Sequence, residues 1–349
     1  MKGMRRTYPG RLADNRGSVG VVVALTLVIL LGFSAMSIDI GRALVVRNEL
    51  QNAADAGTLA GARQLGLSLF YQDTSLGTGQ DVSPLTGLVR ERVRDVAARN
   101  PAEGVFPTIP AGDIQVGQWS TASRTVIPTG VNPDAVQVTA RRDGGPNASL
   151  GTFLGGIFGV SSLNVRTTAA ARLSPTSRTD PGDLNAPFAV SIALRPTACG
   201  QLVSYGAGGN GLLGVTTFSN PAPPIGASRS VRTTALSNLI NDITAGTFTP
   251  PATVANENTV NLIFARDIFF LPSNAIARYP VGTALLVPVV GGDVLGGGAF
   301  VIQGYATVLV TRIDALSMQG TVLCNRTGGR RGGNTNDFGT NGLIPALVL

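Results

Sequence analysis

The stretch VGVVVALTLVILLGFSAMSI, residues 19–38, decides the fold of this chain because it carries no charge over twenty positions. Twenty helical residues rise about 30 Å, which matches the hydrocarbon core of a bilayer. Five basic residues and one acidic residue precede it within residues 1–18. Since basic residues mark the cytoplasmic side of a membrane helix, we predict a single-pass inner-membrane protein with a cytoplasmic N-terminus. The bulk of the chain would then lie in the periplasm or outside the cell.

A cleaved secretory signal is the alternative interpretation of the same segment. Ala35-Met36-Ser37 has the small-x-small pattern of a cleavage site. The apolar run is longer than the usual signal core of about 7–15 residues, and the helical pattern continues past the candidate cut. Cleavage would release a secreted or surface-exposed binding protein, such as an adhesin.

Charge and composition exclude several classes of protein. The chain has a net charge of +7, and residues 1–18 hold enough of it to leave only +3 for the rest. Arg90, Arg92, Arg94 and Arg99 cluster, but acidic residues interleave with them, which is typical of a solvated helix face. We therefore expect no nucleic-acid partner, and no pattern indicates a small-molecule substrate.

The sequence contains no catalytic, cofactor or metal constellation that we recognise. It has no histidine, and its only lysine is Lys2, so Ser-His-Asp catalysis and a P-loop are both excluded. Gly206-x-Gly208-x-x-Gly211 matches the dinucleotide fingerprint by letter, but prolines follow it where a helix would have to begin. We predict a non-enzymatic protein without a cofactor or a bound metal ion.

Cys199 and Cys324 are the only cysteines, and both lie on the predicted exported side. A lone pair of cysteines in an oxidising compartment usually forms a disulfide bond. We predict this bond, and the alternative is two buried free thiols.

The helical pattern does not end at the predicted membrane surface. Residues 39–65 contain no proline and repeat apolar residues at helical spacing, so one helix is predicted from Ser18 to Leu65. Asp39 and Arg42 are three residues apart and are close enough to pair. A stripe of small residues follows, and it would let either a partner protein or another element of the same domain pack closely against the helix. The stripe consists of Ala53, Ala56, Gly57, Ala60 and Gly61.

Later segments predict an α+β fold in which the long, pilin-like helix lies on a small antiparallel sheet. A second helix is predicted over 84–99, capped by Ser83, and a short helix within Leu150–Val160. The predicted strands of this part are Ile114–Trp119, Val126–Ile127, Ala135–Arg141 and Leu163–Leu173.

A linker and a β-rich domain follow. The predicted division is 1–18 cytoplasmic, 19–38 transmembrane, 39–173 α+β, 174–187 linker, 188–326 β-rich and 327–349 a glycine-rich tail. In the β-rich part a helix is predicted at Leu236–Ile243, together with five strands. These strands are Phe188–Leu194, Val260–Phe264, Ala284–Val290, Phe300–Arg312 and Thr321–Cys324.

The residues from Arg16 to about Leu65 resemble the N-terminal module of Tad-type (Flp, tight-adherence) pilus-assembly proteins of the TadE/TadG-like group. The likeness comprises Arg16-Gly17, the apolar span, Asp39-x-x-Arg42, the block Leu50-Gln51-Asn52-Ala53-Ala54-Asp55-Ala56, and Leu59–Ala62. Processed pilins carry a glutamate five residues past the cleavage glycine, whereas this chain has Val22 at that place.

The resemblance implies a membrane-anchored, non-enzymatic accessory of a pilus or envelope secretion apparatus, whose partners are the membrane and other pilus-assembly proteins. We predict that one set of residues on the long helix forms its interface. The set is Asp39, Arg42, Leu50, Gln51, Asn52, Ala53, Asp55, Ala56, Gly57, Ala60 and Gly61.

Overall fold

The fold is given by a computed structural model that describes most of the chain. The described residues are 16–70, 83–193, 200–206, 208–267, 269–323, 326–327, 331–333 and 337–348. Cys199 and Cys324 lie outside these ranges, so the disulfide bond stays a prediction.

Helix α1 runs without a break from Arg16 to Phe70, which makes it about 80 Å long. The predicted helix is confirmed and extends a few residues further at each end. Between Val19 and Ile38 only Gly32 and Ala35 are shielded from solvent. From Val46 onward the helix buries one face in the first core, where Leu50 and Leu65 are completely enclosed.

Helix α2 (Thr86–Ala97) packs against α1 through Val89, Val93 and Ala97. The predicted helix over 84–99 is confirmed, but its start differs. Ser83–Leu85 form a single 3-10 turn, and the Ser83 carbonyl accepts a hydrogen bond from the Thr86 hydroxyl at 2.8 Å. The Ser83 side chain therefore does not cap α2 as predicted, because the 3-10 turn moves the start of the helix to Thr86.

The first sheet has the central strand order β15-β17-β6-β3-β1-β2, with β10 and β16 also paired to β6. Along β3, Val136, Val138 and Ala140 face α1, as the two-residue period of a strand requires. The strands are β1 (Ile114–Ser120), β2 (Thr125–Pro128), β3 (Ala135–Arg142), β6 (Val165–Thr179), β10 (Thr253–Val254), β15 (Arg326–Thr327), β16 (Arg331–Gly332) and β17 (Thr340–Leu347).

The predicted strands of this sheet are confirmed, and β6 is longer than predicted because it runs six residues into the proposed linker. Strand β17 lies where a glycine-rich tail was predicted, and it pairs with β6 antiparallel, Ala346 opposite Arg172. The apolar end Leu343–Leu349 favours sheet formation once the long edge of β6 is available. The division into domains stays a prediction.

A small hairpin joins β3 to β6. It consists of β4 (Leu150–Gly151) and β5 (Ser162–Leu163), with one 3-10 turn, Gly155–Phe158, in its loop. The short helix predicted over Leu150–Val160 is thus reduced to that turn. The turn ends at Gly159, whose φ of 79° lies in the left-handed region that favours glycine.

The second sheet has seven strands in the order β11-β9-β7-β12-β13-β14-β8. Because β13 also pairs with β11, five of these strands (β11, β9, β7, β12 and β13) form a closed circuit. The strands are β7 (Phe188–Ser191), β8 (Leu202–Gly206), β9 (Leu213–Phe218), β11 (Thr259–Leu262), β12 (Ala284–Val290), β13 (Gly298–Ile313) and β14 (Ser317–Leu323).

Two helices accompany this sheet. Helix α3 (Arg229–Ala245) starts seven residues before the predicted helix, because the Ser228 hydroxyl accepts the N–H of Val231 at its N-terminus. Helix α4 (Ser273–Arg278) was not predicted. A β-rich C-terminal region is confirmed, while the pilin-like character of the first part stays a prediction.

Buried hydroxyl groups connect the two sheets. The Thr253 Oγ1 atom lies 2.7 Å from Thr179 Oγ1 and 2.7 Å from the Tyr305 hydroxyl, and Thr307 Oγ1 lies 2.9 Å from Thr340 Oγ1. Paired hydroxyl groups avoid the cost of burying an unsatisfied polar group. The region after residue 180 is therefore packed directly onto the first sheet.

Candidate functional site along helix α1

The first candidate feature is the exposed apolar part of α1. The helix from Val19 is long and apolar enough to cross a membrane, and no other described helix satisfies this test. Large apolar side chains such as Leu25, Leu30 and Phe33 are each more than half exposed. A contiguous apolar surface of this kind is rare on a soluble monomer and marks a membrane or protein contact.

Asp39 lies at the C-terminal end of the apolar span and binds the β4–β5 loop. Its carboxylate accepts the backbone N–H groups of Phe153 at 2.7 Å, Gly155 at 2.8 Å and Leu154 at 3.2 Å. These N–H groups, that of Phe153 foremost, together with nearby Arg42, hold the pKa of Asp39 below its ordinary value. The carboxylate therefore stays ionised and joins the hairpin to α1.

Arg42 makes a second connection to the same region. Its guanidinium pairs with the Glu103 carboxylate and donates to the Gly151 carbonyl at 2.8 Å. Glu103 also pairs with Arg142 at 3.1 Å, and its backbone N–H donates to Glu49 at 2.6 Å. Asp39 and Arg42 were predicted to pair with each other, but each side chain bonds instead to segments more than 60 residues away.

The small residues of α1 pack on the chain's own elements. A methyl group at Gly57 would lie 3.2 Å from the Ala97 Cβ atom and 3.2 Å from the Val93 carbonyl oxygen. At Gly61 it would lie 2.5 Å from Val93 Cγ2. Ala53 is fully buried as well. These three positions are covered by the chain itself, and at Gly57 and Gly61 the small residue lets α2 approach α1 closely.

The remaining predicted interface residues divide by exposure. Leu50 is completely buried, and Gln51 bridges Asp55 on α1 and Thr167 on β6. Asn52 is exposed, and Ala56 and Ala60 are partly exposed. These last three are predicted positions that a partner could reach.

Ala60 also lines a groove that sequence patterns did not indicate. The groove has a volume of about 840 Å³ and lies between α1, α2 and β17, with Arg63, Arg92 and Ile344 among its lining residues. Prediction missed it because β17 reaches this place only through long-range pairing with β6. The apolar Leu343–Leu349 end was the available signal.

The candidate cleavage sequence lies inside α1. Residues Ala35, Met36 and Ser37 are helical, and Ala35 is buried. Cleavage there would remove the Gly32 and Ala35 contacts of the helix with the rest of the protein.

Two charged side chains away from α1, Arg232 and Asp134, are held by contacts within the protein. Arg232 is buried and binds Asp267 through its two terminal guanidinium nitrogens, Nη1 at 2.5 Å and Nη2 at 2.7 Å. Burial raises the pKa of Asp134 to about 6, although Trp119 N–H and Arg172 lie beside its carboxylate. No group of three potential ligands for a metal ion occurs among the described residues.

Comparison with known proteins finds similarity in the N-terminal part of the chain. Residues 17–64 match the family model described as Flp pilus-assembly TadE/G-like, and residues 60–171 match the model described as Tad-like Flp pilus-assembly. No curated protein and no solved structure matches the chain. The two family matches contain Asp39, Arg42, the small-residue stripe, the hairpin, strands β1 to β3 and the first half of β6. Residues 17–171 are therefore similar to Tad-type Flp pilus-assembly proteins, to the TadE/G-like model over 17–64 and to the Tad-like model over 60–171.

Proposed function

We propose that this protein is a single-pass, membrane-anchored and non-enzymatic component of Tad-type pilus assembly. The continuity of α1 carries the proposal. One helix joins an exposed apolar segment of membrane length to the core of the first sheet, so its two halves cannot move independently. Such a helix fixes the position of the first-sheet domain relative to the membrane.

The proposed orientation places residues 1–18 in the cytoplasm and everything after Asp39 in the periplasm or outside the cell. The basic residues before the span support this direction. In this arrangement the Asp39 and Arg42 contacts lie at the periplasmic surface of the inner membrane, where they hold the first sheet against the end of the span.

Other pilus-assembly or envelope proteins are the proposed partners. The groove beside Ala60 is a candidate contact area, because Ile344 at its rim is an exposed apolar residue and two arginines flank it. A photo-crosslinker at Ala60 should capture another component of the pilus apparatus, whereas the same group at exposed Asn48 should not. Equal capture at both positions, or none, would argue against this surface.

Removal and restoration of the protein in its own cells tests the proposed function. Loss of the protein should abolish or strongly reduce Flp pili, and the full chain should restore them. A form with residues 1–38 replaced by a cleaved secretion signal should reach the periplasm and fail to restore pili. Normal piliation without the protein would refute the role, and restoration by the released form would refute the need for an anchor.

A further inference from the structure

The loop of the β4–β5 hairpin is unusually apolar for a surface segment. Residues 150–163, LGTFLGGIFGVSSL, contain no charged side chain. Phe153 is 76% exposed and Phe158 is 60% exposed. Large aromatic residues normally bury most of their surface in a core or an interface, so two exposed rings on one short loop require a contact that the chain itself does not supply.

The loop lies beside the apolar span and not beyond its end. The Phe158 ring packs against Gly32, where a methyl group would come within 2.9 Å of the Phe158 Cζ atom. Gly32 precedes Asp39 by seven residues, or about 10 Å along the helix axis. If residues 19–38 span the bilayer, the Phe158 ring lies well inside its outer hydrocarbon half.

A groove between the loop and the span has almost entirely apolar walls. It has a volume of about 630 Å³, and its lining includes Val28, Ile29, Phe33, Met36, Phe158 and Val160. Asp39 is the only charged residue in that lining, and its carboxylate is already bonded to three backbone N–H groups.

Several backbone polar groups of the loop are hydrogen-bonded within the protein. Besides the three N–H groups bound by Asp39, the Val160 N–H donates to the Gly155 carbonyl at 3.0 Å, and the Thr152 hydroxyl donates to the Val160 carbonyl at 2.6 Å. Irregular backbone is tolerated at membrane depth only when its polar groups are satisfied within the protein. An ordinary solvent-exposed loop has no such requirement.

We propose that the β4–β5 loop inserts into the outer leaflet beside α1, so that lipid acyl chains cover Phe153 and Phe158 and fill the groove. The inference rests on the proposed membrane anchoring and adds a second lipid contact to that of the span. Lipid is favoured over a partner helix because the exposed groove side chains continue directly into the exposed surface of the span, which the same acyl chains would surround. The hairpin would then fix the tilt and rotation of the domain relative to the membrane.

Tryptophan quenching by brominated lipid tests this placement in the full chain. The only native tryptophan, Trp119, is changed to phenylalanine, and single tryptophans are introduced as Phe158→Trp and Phe153→Trp. Phe33→Trp in the span is the positive control, and Phe270→Trp, at an exposed position in the second sheet's region, is the negative control. Each protein is reconstituted in phosphatidylcholine vesicles with or without bromine on the acyl chains.

We expect the Phe158→Trp, Phe153→Trp and Phe33→Trp proteins to emit at shorter wavelength and to lose most of their fluorescence to bromolipid, while the Phe270→Trp protein is unaffected. Quenching at 33 but at neither loop position would overturn the loop insertion and leave the anchor intact. Blue-shifted but unquenched emission from the Phe158→Trp protein would show that protein covers the groove and would also overturn the loop insertion. Absence of quenching at 33 would refute the anchor and the insertion together.

Discussion

Replacement of Gly61 by alanine should destabilise the protein, although alanine is the better helix former. An alanine methyl group at this position would lie 2.5 Å from Val93 Cγ2 and 3.3 Å from Val136 Cγ1, and both valines are completely buried. Overpacking of a filled core costs about 1–3 kcal/mol. The gain in helix propensity from glycine to alanine is about 0.5–1 kcal/mol.

Gly41→Ala is the matched control on the same helix. No atom lies within 4 Å of a methyl group there, so only the gain in helix propensity applies. The difference in unfolding free energy between the two variants therefore isolates the overpacking cost. At about 2–4 °C per kcal/mol, Gly61→Ala should melt several degrees below Gly41→Ala.

Thermal unfolding of the detergent-solubilised full chain, followed by circular dichroism, measures this difference. Adding Val93→Ala to Gly61→Ala removes the clashing methyl group, so the double variant should be more stable than the sum of the single changes predicts. Equal melting temperatures for Gly61→Ala and Gly41→Ala, together with additive effects in the double variant, would refute close packing of α2 on this face of α1.

Three further predictions follow from buried groups. Leu50→Ala should lower the unfolding free energy by about 2–5 kcal/mol, whereas Leu44→Ala, at an exposed position on the same helix, should change it by about 0.5 kcal/mol or less; chemical denaturation measures both. Burial raises the pKa of Asp134 to about 6, above its value in the unfolded chain. The folded state thus binds the proton more tightly. The unfolding free energy of the unchanged protein, relative to that of Asp134→Asn, should therefore fall by up to about 3 kcal/mol as the pH rises from 4 to 7. A difference in unfolding free energy that stays constant across this range would contradict the raised pKa of Asp134. Gly200 N–H donates to the Val322 carbonyl at 3.0 Å, so the strand ends that lead to Cys199 and Cys324 are adjacent, and mass spectrometry after alkylation of the unreduced protein should detect no free thiol.

Strong local patterns allowed much of the fold to be predicted. The uncharged span and the proline-free repeat after Asp39 predicted α1, because helix period and length are both local properties. The strand Ala284–Val290 was predicted with its observed bounds, since six of its seven residues are aliphatic and three of these are β-branched valines, despite Pro288. These elements need no knowledge of their neighbours.

Elements that depend on distant partners were missed or shortened. Strand β17 contains Pro345, which argues against a strand in a local reading, yet it pairs with β6 opposite Leu173. Strands β8 and β9 were also missed, and both pair with strands distant in sequence, β8 with β14 and β9 with β11.

The candidate site was located by sequence, but its contacts were not. The Asp39-x-x-Arg42 motif directed attention to the correct turn of α1. Its partners, the Phe153–Gly155 backbone and Glu103, lie 61 or more residues further along the chain. No local spacing rule could therefore distinguish a pair within the helix from a connection to the hairpin.

The central claim is that α1 holds the domain after Asp39 on the outer side of a membrane. Fusion of alkaline phosphatase or of a cytosol-dependent fluorescent protein behind Leu349 tests it most directly in intact cells. We predict an active phosphatase and a dark fluorescent fusion, with both recovered in the membrane fraction after carbonate washing. A fluorescent fusion with inactive phosphatase, or release of the intact protein by carbonate, would contradict the claim.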